Sequence, residues 1–215
     1  MRACTRSVLV VAATTALVTT MSTYAGSSPR AAAERPSGTE ATAYAWTVTP
    51  TGTTERFRGL APVSRDVAWV SGTNGTVLPT TDVGATWTVA DSPVAGGPSA
   101  GIFSVSFRDA RRGVVVGGDF ATPTGNVDNA AWTEDGGATW TKSTANPSGY
   151  RSGSAWVSGT SRTVLAVGPS GSDVSSDGGR TWATFDTGSF DSVECTNDGA
   201  CWASGEQGRV GTLTR

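Results

Sequence analysis

Apolar residues in this chain fall in short runs broken by Gly, Ser, Thr and Asp. The clearest stretch begins at Ser154-Ala155-Trp156-Val157, where polar and apolar residues alternate. Residues 163–168 (TVLAVG) form a continuous apolar run, and Pro169-Ser170-Gly171 reads as a turn. Residues 172–175 lead into a polar octapeptide, and 181–185 follow it. Runs this short, bounded by turn residues, predict four strands joined by tight turns. The same layout shows in residues 67–77 (VAWVSGTNGTV) and 201–210 (CWASGEQGRV). The pairs Gly72/Gly75, Gly168/Gly171 and Gly205/Gly208 mark one G-x-x-G turn between second and third strands. A second unit departs from this spacing, because residues 117–132 hold about eleven extra residues. Helical periodicity is absent after the first residues.

An octapeptide recurs three times: TTDVGATW at 80–87, TEDGGATW at 133–140 and SSDGGRTW at 175–182. Its closing residues, Trp87, Trp140 and Trp182, are spaced 53 and 42 residues apart. Periods of about 40 to 50 residues built of short strands predict the blades of a β-propeller. Within each copy the Asp (Asp82, Asp135, Asp177) is placed to accept backbone N–H groups of the turn. The Gly (Gly84, Gly137, Gly179) suits a backbone angle that a Cβ resists. The Trp is the largest apolar surface in the motif and is expected to anchor the turn between blades. Val83 stands where the other copies have Gly, a position expected to tolerate it. Copies related by rotation cannot converge on one substrate, so the carboxylates are expected to be structural, neither catalytic nor metal-binding.

The last unit stops without an octapeptide. Residues 44–48 (YAWTV) match 85–89 (ATWTV), with Trp46 falling on Trp87. Residues 45–49 are therefore expected to complete the final blade. The expected fold is all-β, a propeller of about four antiparallel four-stranded blades, three continuous and one composite. A ring closed in this way hides its sheet edges and predicts a monomer.

The start of the chain reads differently. Arg2 and Arg6 precede an uncharged run at 7–20, and Thr23 and Ala25 suit cleavage after Ala25. Residues 1–25 are thus expected to be a signal peptide, 26–43 a flexible linker rich in Ser, Ala and Pro, and 44–215 the folded domain. The expected location is outside the cell, with no membrane attachment after cleavage. Cys195 and Cys201 remain after the leader, flanking Asn197-Asp198-Gly199, and predict a disulfide across a tight hairpin.

Composition removes whole classes of chemistry. The chain has no His, which excludes Ser-His-Asp and Cys-His catalysis and imidazole metal sites. The 16 Lys+Arg are outnumbered by 18 Asp+Glu, and Lys142 is the sole lysine, so nucleic acid is not an expected partner. No cofactor is expected either, since no Gly-rich fingerprint opens a helix.

The pattern [ST]-x-D-x-G-x-T-W resembles the Asp box of bacterial neuraminidase (BNR) repeats. Over residues 46–215 the chain is similar to secreted bacterial BNR propellers of the photosystem II stability/assembly factor-like group. The segments that carry this are TVTPTGTTERFRGL (47–60), FRDARRG (107–113) and DGACWASGEQGRV (198–210). Against the roughly seven blades usual in that group, about three middle blades are missing here. The resemblance implies a non-enzymatic scaffold that binds a protein or glycan. Candidate contacts are Arg58, Arg65, Arg108, Arg111, Arg112, Arg151 and Arg209, all expected in or near inter-strand loops, with a solvated turn charge as the plainer reading of each; Arg58, Arg111 and Arg112 are the ones singled out. Arg111-Arg112 is expected beside the long second-unit insertion. Asp boxes also imply an alternative, a sialidase-like glycoside hydrolase, for which Tyr150, Glu194 and Asp66 are the residues available. Oxidoreductase, a label carried by some relatives, finds no residue to support it.

Overall fold

The computed structural model describes residues 46–214. The expected signal peptide and linker, and Tyr44 and Ala45 of the expected closing strand, lie outside the described residues. Within residues 46–214 the architecture is all-β. The first sheet holds β1 (Phe57–Pro62), β2 (Ala68–Gly72) and β3 (Val77–Thr80). A second holds β4 (Ala100–Phe107), β5 (Gly113–Asp119), β6 (Ala130–Thr133) and β7 (Thr141–Lys142). Sheet 3 holds β8 (Gly153–Trp156), β9 (Val164–Gly168), β10 (Gly171–Ser175) and β11 (Ala183–Asp186). Last comes sheet 4, with β12 (Ser192–Cys195), β13 (Cys201–Ser204) and β14 (Val210–Thr212). Within the four sheets every strand pairing is antiparallel between chain neighbours, as tight turns demand. In sheet 1 the fourth strand shrinks to one bridge, Val77 with Ala90.

The core lies between sheets. Alternation along β5 shows why: Val115 packs with Trp69 and Val77 of sheet 1, whereas Val114 and Val116 pack with Val164 and Ala166 of sheet 3. A sheet with neighbours on both faces needs apolar residues at successive positions, which is why this strand reads VVV. A third cluster joins Leu165 and Val167 of sheet 3 to Val193 and Cys201 of sheet 4. Each aliphatic side chain so buried contributes about 1.5–3 kcal/mol. The octapeptide tryptophans cap two of these clusters. Trp140 meets Trp69 edge-on at 5.8 Å, and Trp182 closes the cluster between sheets 2 and 3.

Sequential packing of β1 on β4, β4 on β8 and β8 on β12 sets the sheets in a curved row. The innermost strands of all four line one concavity. This is a β-propeller-like arrangement.

The expected composite sheet is not formed. Residues 46–49 are in no strand, and Trp46 is 98% exposed. Their anchor is at the other end of the row: the Thr49 hydroxyl donates to the Gly84 carbonyl in the first octapeptide, at 2.7 Å. Residues 46–49 stay with the sheet to which the next residues belong, so sheet 4 keeps three strands. The hairpin disulfide is present, with Cys195 and Cys201 paired across β12 and β13 and their Cα atoms 4.1 Å apart.

Candidate functional site

The concave face has a volume of about 790 Å³. It is built from β1, β4, β8 and β12, each of which ends its sheet; apart from the start of β4, where Gly101 bridges Thr73, the second edge of each has no strand beside it. Such edges offer N–H and C=O groups to an incoming extended chain. Serines dominate the lining. The Ser154 hydroxyl sits 2.9 Å from that of Ser104 and 3.0 Å from that of Ser106, bridging sheets 2 and 3. Trp156 donates its indole N–H to the Ser106 carbonyl at 3.2 Å, which orients this ladder. Arg58 projects from β1 with its guanidinium 5.9 Å from the Phe103 ring, and Glu194 is exposed on β12 within the same concavity. Arg58, the second residue of β1, lies near the start of that strand and lines the concave face. A cation and a carboxylate there, with hydroxyls between them, suit a polar ligand.

One rim carries the octapeptide turns, which repeat the same bonds. In each, the first Ser or Thr hydroxyl donates to the Asp carboxylate at 2.7–2.8 Å and accepts the Gly N–H at 2.8–2.9 Å. The carboxylate accepts the N–H of the following Thr at 2.8–2.9 Å and its hydroxyl at 2.6 Å. These bonds, chiefly from the Thr side chain, hold Asp82 and Asp135 down to about 2. For Asp177 burial is the largest single influence and acts upward, but the summed bonds from Thr181, Ser175 and Arg180 N–H outweigh it and its pKa is lowered. Carboxylates committed in this way have little capacity left for a metal or a proton in transit. Gly84, Gly137 and Gly179 all have φ between 81° and 92°. A Cβ on Gly137 would stand 2.3 Å from the Trp69 ring.

The preceding octapeptide position is also left-handed, with φ of 61° at Val83, 76° at Gly136 and 78° at Gly178. Its N–H reaches back to the first turn of its own sheet, to Asp66, Arg111 and Arg162 carbonyls at 3.1, 2.8 and 2.9 Å. The expectation that this position is permissive is therefore corrected: Val83 carries a β-branched side chain where the backbone resists one.

Arg111 and Arg112 sit on this same rim, in the β4–β5 turn. Asp109 accepts both their N–H groups at 2.9 and 2.8 Å and pairs with the Arg112 side chain at 3.4 Å. The expectation that they adjoin the long insertion is wrong, since β5 separates them from residues 120–129, which follow its far end. Their neighbours are Glu134 and Arg162, around a depression of about 370 Å³. Arg180 stacks over Trp132 at 3.9 Å and bonds Glu134 at 2.7 Å.

Arg151 corrects a further expectation. It is fully buried, not a solvated charge. Its guanidinium pairs with buried Asp173 at 2.5 Å and donates to Tyr150 O, Ser170 Oγ and Ser148 Oγ at 2.8, 3.0 and 2.6 Å. Ser170 in turn donates to the Pro123 carbonyl, so the network pins the second-unit insertion to sheet 3. Lone residues far apart in sequence gave no sign of this pair or of the serine ladder; only the strand register brings them together.

The residues available for glycoside hydrolysis are not gathered. Tyr150 is buried edge-on to Phe103 at 5.3 Å, and burial pushes its hydroxyl pKa up against the pull of Arg58. Glu194 lines the concave face, while Asp66 belongs to the β1–β2 turn.

No protein-family model matches this chain, and no curated protein does. Solved structures do. YCF48 bound to D1 peptide is 21% identical, over 76% of this chain and 53% of that one, with a TM-score of 0.57. YCF48 from Cyanidioschyzon merolae is 22% identical, over 77% and 55%, at 0.53. An ancestral GH74 enzyme is 14% identical, over 74% and 25%, at 0.52. The chain thus spans about half the length of the YCF48 chains it matches, and what it shares with all three is the β-propeller-like fold.

Proposed function

We propose that this chain is a non-enzymatic scaffold that binds an extended segment of a partner protein on its concave face. The observation that carries the reading is the meeting of four sheet-ending strands in one polar concavity. An extended peptide can satisfy their unpaired backbone groups, with side-chain hydroxyls, Arg58 and Glu194 setting orientation and preference. A YCF48 chain of like fold is bound to a D1 peptide, which supports peptide binding as a use of this architecture. In this reading each sheet is one blade, the octapeptides are Asp boxes, and their carboxylates hold turns. The chain works outside the cell, a location that suits its hairpin disulfide.

An array of 12-residue peptides, probed with residues 26–215, tests this. Retention of a peptide subset by the native protein, and its loss in Arg58→Glu and Ser154→Arg, is expected. Turnover of a fluorogenic sialoside, or labelling of a glycan array with no peptide retained, would overturn it. Export is checked separately, by recovering from culture fluid a chain that begins at Gly26.

A further inference from the structure

We infer that a second copy of this chain closes the row of sheets: its residues 46–49 lie beside β14, and its Trp46 fills the gap between sheets 3 and 4. This is independent of the peptide reading above.

Three observations converge. The first is exposure compared at equivalent positions. Three residues before Gly72, Gly117, Gly168 and Gly205, the equivalent glycines at or near the end of each second strand, stand Trp69, Val114, Leu165 and Trp202. The first three are at most 4% exposed because a following sheet covers them, whereas Trp202 is 53% exposed. Val210 is 67% exposed where its counterpart Val77 is fully buried. At the opposite end, Leu60 is 67% exposed, though Val105 and Val193, at the same place on their own inner strands, are each 4%. Sheet 4 therefore presents the face that every other sheet buries against its successor, and sheet 1 presents the face that buries against a predecessor. Two such ends fit each other, but within one chain they stand at opposite ends of the row.

The second observation concerns residues 46–49. After β7, the Ser143 hydroxyl donates to the Gly179 carbonyl of the next sheet's octapeptide at 2.5 Å. Thr49 makes the same bond to Gly84, the equivalent octapeptide glycine. Residues 46–49 (WTVT) thus stand where 140–143 (WTKS) stand, in the place of a fourth strand belonging to a sheet before sheet 1. No such sheet precedes it among the described residues, while sheet 4 has three strands and no fourth.

The third is a gap. Trp140 caps the cluster between sheets 1 and 2, and Trp182 caps that between sheets 2 and 3. Between sheets 3 and 4 there is instead a cleft of about 320 Å³, lined by Val167, Phe190, Val193 and Leu213 among others. It is the place for a fourth-strand tryptophan, and Trp46, 98% exposed, is without a packing partner in its own chain.

A second copy supplies all three at once, and reciprocally. Each copy gives its residues 46–49 to the other's sheet 4, so the two junctions are alike and related by a two-fold axis through the ring. The concave faces then join into one channel.

Sedimentation of residues 26–215 should give twice the chain mass at micromolar concentration. Trp46→Asp and Leu60→Asp should each raise the dimer dissociation constant at least ~30-fold. Trp46 is wholly exposed in the single chain, so its loss leaves the fold intact, as circular dichroism will register. Cysteines placed at Thr47 and Thr212, opposite each other by analogy with Thr141 and Trp132, should oxidise into a covalent dimer. A mass of one chain at every concentration, a Thr47–Thr212 crosslink within one chain, or dimers unaffected by Trp46→Asp would overturn the inference.

Discussion

Val83 shows how much one side chain can conflict with a turn that its sequence otherwise specifies well. At φ 61° its branched Cβ crowds the backbone, while Gly136 and Gly178 occupy the same place without cost. Val83→Gly is expected to stabilise the protein by about 1 kcal/mol, raising Tm by roughly 3 °C, measured by calorimetry. The octapeptide carboxylates predict a pH dependence. Asp82 and Asp135 are held at about 2 in the folded chain, below the ordinary aspartate value near 4 that they regain on unfolding. Their stabilisation is full above about pH 4 and is lost as pH falls toward about 2. Melting curves across that window should fall steadily, and Asp82→Asn with Asp135→Asn should flatten the slope. Arg151 belongs to the same scale. Arg151→Leu strands Asp173 as an unpaired buried charge and should cost about 3–5 kcal/mol in urea unfolding, part of it recovered on adding Asp173→Leu.

At the scale of elements, the hairpin is the unit that the sequence predicts best. The four strands expected in residues 154–185 correspond to β8 through β11, and each G-x-x-G pair falls between second and third strands. The reason is local: turn residues and alternation act within a few positions of each other. The disulfide sits on one such hairpin. Replacing Cys195 and Cys201 by Ser should lower stability by about 2 kcal/mol, the loop-closure value for so short a loop, read as a lower urea midpoint with unchanged slope. What the hairpins cannot express alone is which face meets which neighbour. Tyr150, Arg151 and Ser154 are near neighbours in the chain. Yet one packs on Phe103, one pairs with Asp173 and one bonds Ser104 and Ser106.

For the molecule as a whole, closure is the open variable, and it governs both solubility and site. An end sheet with Trp202 and Val210 in water invites association, and a long-lived single chain would be expected to self-associate as concentration rises. Likeness between residues 44–48 and 85–89 pointed to a fourth strand, but residues 46–49 form none and are held against the octapeptide of sheet 1 through Thr49. The same likeness assigned it to the chain's own sheet 4, which does not come round to meet it.

The sequence by itself determined the repeating unit: strand lengths, turn positions, the left-handed glycines and the cysteine pair, all set by interactions between residues close along the chain. Tertiary structure alone decided the rest. The curvature of the row, the meeting of four inner strands, the burial of Arg151 on Asp173 and the solvent left around Trp46 depend on how sheets stack. Stacking is fixed by summed packing across whole faces, and no short stretch of residues records that sum.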